Sequence, residues 1–219
     1  MGTVMVSWFM ACFDDTLFTS ISFANTRPKY FPTGSLFTYL SYSADVVGHE
    51  ITHGHTMHTS GLIYYEESGA LNEAMSDIMG AGVDRYTGAS INDTFLIGEV
   101  VWTPKTAGDA LRNMGDPAKE GDYDYYPTKY TGTSDYVGVH WNSGIMNLAF
   151  KLAVTGGKHP RNKTSINVPA IDPDFDTSLW AAIKIWFMAN TACLTPMSGF
   201  YDAYRCTRLY AGNHSASIT

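Results

Sequence analysis

A chain of 219 residues, 45% of them hydrophobic, is long enough to bury one good core. Its formal net charge of -7 and pI near 5.4 argue against nucleic acid as a partner and suit a protein that binds cations. No repeat, low-complexity tract or charge block is visible, and no apolar run is long enough to span a bilayer, so a membrane partner is not expected either.

Residues 1 to 44 read as mixed or irregular structure. The opening run from Met1 to Phe13 is apolar but lacks the charged leader of a signal peptide, and it meets Asp14 and Asp15. A helix follows at about 45 to 58. His49 and His53 are four residues apart, so on a helix their imidazoles stand on one face and can hold a single zinc ion. Glu50 lies beside them, where a carboxylate can take the proton of water acidified by that ion. A pattern this short arises by chance in about one chain in a hundred of this length, so it needs support.

Support comes from a second helix at about 67 to 87, which Ser68 is placed to cap. Glu73 and Asp77 share one of its faces. The break at Thr59-Ser60-Gly61-Leu62 lets this helix return alongside the first, bringing Glu73 in as the third ligand and leaving a fourth position open. Asp77, one turn on, can accept the free ring N–H of His49. Without the histidine pair, Glu73 and Asp77 would read as an exposed acidic face. His55 and His58 are not expected to be ligands: His55 points away from the zinc face, and threonine at 56 and 59 breaks the metzincin pattern.

From 88 to 139 the chain reads as loop, too long for a compact domain unless it carries function or binds ions. Arg112 in it offers a bidentate cationic donor. His140 stands at the junction with a helix at about 142 to 154 that Gly156-Gly157 ends, and Asp135 is near enough to orient it. Donors there could stabilise negative charge growing on a carbonyl oxygen. Helices are expected at about 178 to 191 and 198 to 210. His159 and His214 lie in polar, loop-like surroundings and read as solvated surface histidines. Cys193 and Cys206 are spaced either to bridge the last two helices or to be two buried thiols, with Cys12 left alone; a bridge would fit an extracellular home. Three glycosylation sequons, at Asn92, Asn162 and Asn213, are compatible with secretion, though sugar at Asn92 would conflict with a cation beside it.

The runs His49-Glu50-Ile51-Thr52-His53, Gly69-Ala70-Leu71-Asn72-Glu73-Ala74-Met75-Ser76-Asp77 and Gly138-Val139-His140-Trp141-Asn142-Ser143-Gly144 occur in the order and spacing of the thermolysin-like metalloproteases, and the chain resembles that family from about 37 to 210. The resemblance implies a mainly α fold: residues 37–219 as the helical, C-terminal catalytic domain, short at its C-terminus, with the family's N-terminal β-rich domain largely missing. It implies zinc on His49, His53 and Glu73, with Glu50 as general base. His140 and Tyr64 would stabilise the oxyanion, Asp135 would orient His140, and Arg112 would bind the carbonyl of the residue after the scissile bond. It also implies a pocket for a bulky apolar side chain after that bond, lined by Phe37, Leu40, Val46 and Leu111, and calcium on Asp45, Asp84, Asp93 and Glu99. The loop from Thr87 to Ile97 is a residue or two longer than in the family. Asp109 with Thr103 is a weaker second calcium candidate.

The resemblance stops before Phe37. Residues 1–36 contain neither the Asn-Ala-aromatic-Trp strand nor the Gly-Asp-Gly turn of the family, which points to a truncated or mis-assembled first segment. A missing final helix would leave apolar surface on the helices at 142 to 154 and 178 to 190. Two functions follow as expectations. The first is a secreted, monomeric zinc endopeptidase acting on peptide or protein substrates. The second is an inactive metal-binding fragment or interaction module of such an enzyme.

Overall fold

The structure, a computed structural model, describes residues 40–103, 105, 106 and 108–216, and of residues 213–216 the backbone only. The expectations for residues 1–36 and for Phe37 fall outside the described residues, as do those for the side chains of Asn213 and His214.

Two glycines set the centre of the molecule. After a 3-10 turn at Leu40–Tyr42, α1 (Ala44–Met57) and α2 (Glu66–Thr87) cross where Gly48 meets Gly80. A Cβ on Gly80 would stand 2.5 Å from the Asp45 carbonyl oxygen, and one on Gly48 3.1 Å from the Gly80 Cα. Only bare backbone permits this approach, and it draws the face of α2 two turns before Gly80 level with the middle of α1.

The crossing works because α2 is the central helix: Ala70, Leu71, Ala74, Met75, Ile78 and Ala81 are all fully buried. Around it pack α1, α4 (Asp135–Thr155), α5 (Phe175–Ala192) and α6 (Phe200–Ala216). The core they share runs from Leu71 and Met75 through Phe150 and Leu179 to Trp186 and Phe200. Phe150 meets Phe95 and Trp186 edge-on, each at 6.3 Å between centroids. The fold is mainly α, as expected.

Several boundaries differ from expectation. Ser68 does not cap α2. The helix begins at Glu66 after extended Tyr65, and the Ser68 hydroxyl donates back to the carbonyls of Ile63 and Tyr65 at 2.8 Å each, so it braces the entry from inside the first turn. Gly88, at φ 113°, ends α2 in the left-handed conformation that suits glycine.

The stretch after it is not plain loop. β1 (Leu96–Ile97) pairs antiparallel with β2 (Arg112–Asn113), with Ile97 opposite Arg112, and the short α3 (Glu99–Trp102) lies between them. Further 3-10 turns form at Pro117–Lys119 and Tyr126–Thr128. This ribbon delivers Arg112 into the interior. α4 opens with a left-handed turn over residues 135–138 before its regular helix. Cys193 and Cys206 form a disulfide, 5.8 Å between Cα atoms, that ties the end of α5 to α6. Among the described residues no helix is long and apolar enough to cross a membrane.

Candidate active site

His49 and His53 lie on consecutive turns of α1 with their Nε2 atoms 2.9 Å apart. Glu73, on the face of α2 that the glycine crossing brings forward, places Oε2 3.5 Å from His49 Nε2 and Oε1 3.4 Å from His53 Nε2. One ligand atom from each of the three residues falls within 4.8 Å of the others, a set that could hold a metal ion.

Each imidazole is fixed from behind. His49 Nδ1 donates to Asp77 Oδ1 at 2.8 Å and His53 Nδ1 to Asn72 Oδ1 at 2.9 Å, while Asn72 Nδ2 donates to the Leu62 carbonyl. With both Nδ1 protons committed, the Nε2 atoms face each other and Glu73, an arrangement that suits a shared cation. Glu73 Oε2 is buried and makes no hydrogen bond among the described residues.

Asp77 is fully buried and its carboxylate is shared among three partners. Arg112 grips it through Nε at 2.8 Å and Nη2 at 2.6 Å, and Asn147 Nδ2 donates to it at 2.7 Å. Burial opposes its charge, but the Arg112 guanidinium and the His49 N–H outweigh this and hold the carboxyl at about 2. Burial likewise opposes charge on Glu73, yet the imidazoles of His140, His53 and His49 keep it well below the usual carboxylate range. His53 loses by burial and gains more from Glu73, which raises it to about 9 in the metal-free site.

On the other side of Glu73, His140 Nε2 lies 3.5 Å from Oε1 and 3.1 Å from the Tyr64 hydroxyl, and that hydroxyl also donates to Glu73 Oε1. Asp135 holds His140 twice, accepting from Nδ1 at 2.6 Å and from the backbone N–H at 2.9 Å. Glu50, between the two histidines on α1, is half-buried and near enough to His53 to raise its pKa.

The acidic residues gather at the N-terminal end of α1. Asp45 is fully buried, accepting at Oδ1 from the Ser43 hydroxyl and the Val46 N–H and at Oδ2 from the Gly98 N–H. Burial, then Asp45 and Asp93, push Asp84 up to about 6; burial and the same neighbours, Asp84 among them, push Glu99 up to about 7. Asp84 Oδ2 and Glu99 Oε2 are buried without a hydrogen-bond partner among the described residues, whereas Asp93 accepts from Ser90 at 2.6 Å. Thr103 and Asp109 are brought together by a hydroxyl-to-carboxylate bond. Of the apolar residues, Val46 and Leu111 flank Gly98, where a Cβ would meet Leu111 Cβ at 3.2 Å and Val46 Cγ2 at 3.6 Å. Leu40 lies on the 3-10 turn packed against α1.

One histidine is not where the sequence suggests. His159 is 7% exposed: its Nε2 donates to the Asp124 carbonyl at 3.1 Å, its Nδ1 accepts the Arg161 N–H at 3.1 Å, and Tyr125 stands edge-on to its ring. Its polar neighbours enclose it rather than solvate it. His55 does lie off the site, stacked on Phe187 at 5.0 Å. Asn72, Asn147 and Asp122 escape sequence reasoning. Asn147 stands two helical turns beyond His140 in an apolar helix, and that spacing could have revealed it. Asp122 is pushed up to about 8 by burial, against the pull of Arg112 and with the push of Asp77.

The family described as thermolysin metallopeptidase, alpha-helical domain, matches residues 60–216. Bacillolysin from Bacillus caldolyticus is 46% identical over 181 residues, covering 82% of this chain and 31% of that protein. Neutral protease B from Bacillus subtilis (strain 168) is 53% identical over 126 residues, covering 58% and 22%. The chain thus spans under a third of the length of these relatives. Among solved structures, the precursor of protealysin, a metalloproteinase from Serratia proteamaculans, superposes with a TM-score of 0.65 at 28% identity, over 83% of this chain and 55% of that one.

Proposed function

Because the chain belongs to the thermolysin-like metallopeptidases, we propose that its site is that of a zinc endopeptidase, which hydrolyses internal bonds of peptide or protein substrates. The observation that carries this reading is the convergence of His49, His53 and Glu73 within 4.8 Å. The donor set fits zinc: two imidazoles with their outer nitrogens already bonded, and a buried carboxylate with an unpartnered oxygen. Three such ligands leave one position open. A bound zinc supplies Lewis acidity, lowering the pKa of water towards about 7 and polarising a carbonyl.

The chain's own groups do the rest. Glu50, one residue after the first ligand, takes the proton of the attacking water and returns it to the leaving amine. His140 and the Tyr64 hydroxyl are the donors for the carbonyl oxygen as it gains charge, and Asp135 keeps the imidazole from rotating away. Arg112, immobilised on Asp77, presents a fixed cation to the carbonyl beyond the scissile bond. Val46 and Leu111 about Gly98, with Leu40 on the turn packed against α1, form an apolar wall that favours a bulky apolar residue there.

Calcium belongs at Asp45, Asp84, Asp93 and Glu99. Burial and then like charges there hold two carboxyls above their ordinary range, with buried oxygens left unpartnered among the described residues, and a hard cation relieves both. The disulfide supports an extracellular home, and we take the chain to act as a monomer.

The test is zinc content together with cleavage of an unfolded protein. Glu50→Ala should retain stoichiometric zinc and lose cleavage by about 10² to 10⁴-fold. One other reading is an inactive metal-binding module of such an enzyme. Stoichiometric zinc with no Glu50-dependent cleavage would select it.

A further inference from the structure

The left-handed turn at the start of α4 carries more than Asp135. Four consecutive residues have positive φ: Asp135 at 54°, Tyr136 at 50°, Val137 at 70° and Gly138 at 78°. Side chains with a Cβ resist this region, a β-branched valine most of all, and such conformations persist only where surrounding bonds enforce them. Asn142 is the enforcing group. Buried to 2% exposure, it accepts the Tyr130 N–H at 2.8 Å and donates to the carbonyls of Tyr130 at 3.0 Å and Val137 at 3.3 Å. The Tyr130 ring fills the space against Gly138, where a Cβ would come within 2.8 Å of it.

Holding Asp135 under His140 accounts for the turn but not for an aromatic residue inside it. The Tyr136 side chain contributes nothing to the core, being 60% exposed. Its ring is nevertheless seated, edge-on to Tyr64 with centroids 5.7 Å apart and planes at 72°. The Tyr64 ring in turn lies 6.1 Å from the rings of both His53 and His140. Tyr136 is therefore the outer end of a continuous aromatic wall that starts at the ligand imidazole and passes the oxyanion donors. An extended chain advances about 3.3 to 3.6 Å per residue, so one ring-to-ring step corresponds to roughly two substrate residues.

We infer that Tyr136 is a specificity-determining residue whose ring receives an apolar or aromatic substrate side chain one or two residues from the scissile bond. The assignment rests on the endopeptidase reading, deepens it with a second selective position, and separates this position from the apolar wall at Val46 and Leu111. An exposed phenol offers a rigid face with two rotatable bonds, so a substrate ring or branched side chain gains contact at small entropic cost.

The experiment compares the full zinc-loaded chain with Tyr136→Ala, Tyr136→Asn and Tyr136→Phe. The substrates are peptides carrying glycine, leucine or phenylalanine at each of the two positions on either side of the cleaved bond. At one of these positions the preference for phenylalanine over glycine, as a kcat/KM ratio, should fall about tenfold in the alanine and asparagine variants and persist in Tyr136→Phe. Zinc content and far-ultraviolet circular dichroism should match the parent, asparagine being at ease in this backbone region. A parent that cleaves with preferences that survive all three substitutions overturns the assignment and leaves the endopeptidase reading standing. An equal loss on every substrate, expressed in kcat, also overturns it and marks Tyr136 as a support for Asp135. A parent that binds zinc but cleaves nothing overturns the endopeptidase reading and this assignment with it.

Discussion

α1 enters two candidate cation-binding clusters built on opposite principles. In the middle of the helix, His49 and His53 belong to a set in which the carboxylate behind is neutralised before any ion arrives: Asp77 is held by Arg112, His49 and Asn147 at once. At the N-terminal end, Asp45 alone is saturated by hydrogen bonds, while Asp84 and Glu99 face it and each other with buried oxygens that have no partner among the described residues. The first cluster is pre-organised by attraction, and the second is an arrangement of repulsions that a cation would resolve. Substitutions in the first should therefore damage the metal-free protein, whereas substitutions of Asp84 or Glu99 in the second should damage only its response to calcium.

The largest effect is expected from Asp77→Ala. It leaves the Arg112 guanidinium buried without its carboxylate, which costs about 3 to 5 kcal/mol. It also frees the ring of His49 to turn, weakening zinc affinity about 10 to 100-fold. Urea unfolding of the metal-free chain measures the first effect, and competition with a chromophoric chelator measures the second. A variant as stable as the parent without metal would end the contrast between the two clusters.

A smaller effect is expected at the acidic corner. Calcium at a hundred times its dissociation constant should stabilise the parent by about 2.7 kcal/mol. Asp84→Asn removes one of the repelling charges, so the calcium-free protein should become more stable while most of the calcium response disappears. Thermal unfolding with calcium and with chelator reads both. If Asp84→Asn weakens the calcium-free protein, repulsion does not govern that corner. The Asp45 bond to Gly98, the residue between Val46 and Leu111, means that disorder there would be felt in the apolar wall as well.

How much of this could be read in advance follows from the range of each interaction. Helical spacing exposes His49, His53, Glu73 and Asp77, because residues three or four apart share a face whatever surrounds them. The return of α2 is also signalled locally, by the break at Thr59 to Leu62. Asn72 is not legible: it adjoins Glu73, and only the close crossing at Gly48 and Gly80 turns its amide onto His53. The left-handed turn gives one signal, Gly138, while Tyr136 and Val137 adopt that conformation against their own preference because Asn142 enforces it from a turn away. His159 has polar neighbours in sequence, but whether such neighbours solvate or enclose a ring depends on Asp124, a residue 35 positions earlier. Ser68 carries the chemistry of a cap, yet the carbonyls of Ile63 and Tyr65 capture its hydroxyl.

The smallest effect calibrates the comparison, since it concerns a carboxylate outside both clusters. Glu67 accepts from Lys129 and the Tyr126 hydroxyl at Oε1 and from the Phe200 N–H at Oε2, joining the start of α2 to the 126–130 segment and the start of α6. Burial raises its pKa, but the bonds from Lys129, Phe200 and Tyr126 outweigh this and leave it lowered. A lowered folded-state pKa means that the folded chain releases this proton more readily than the unfolded chain, whose value is about 4.3. Its contribution is therefore complete above about pH 4.3 and fades as pH falls through the folded-state value. With the side chain 26% exposed, water screens the pair, and roughly 1 kcal/mol is expected rather than the larger cost at Asp77. Glu67→Gln should lower stability by that amount at pH 7 and by progressively less as pH falls below about 4.3, so the stability curves of parent and variant converge in acid. Urea midpoints at pH 3, 4, 5 and 7 test this. Curves that run parallel across the range would mean that Glu67 acts through packing against Gly199 and not through its charge.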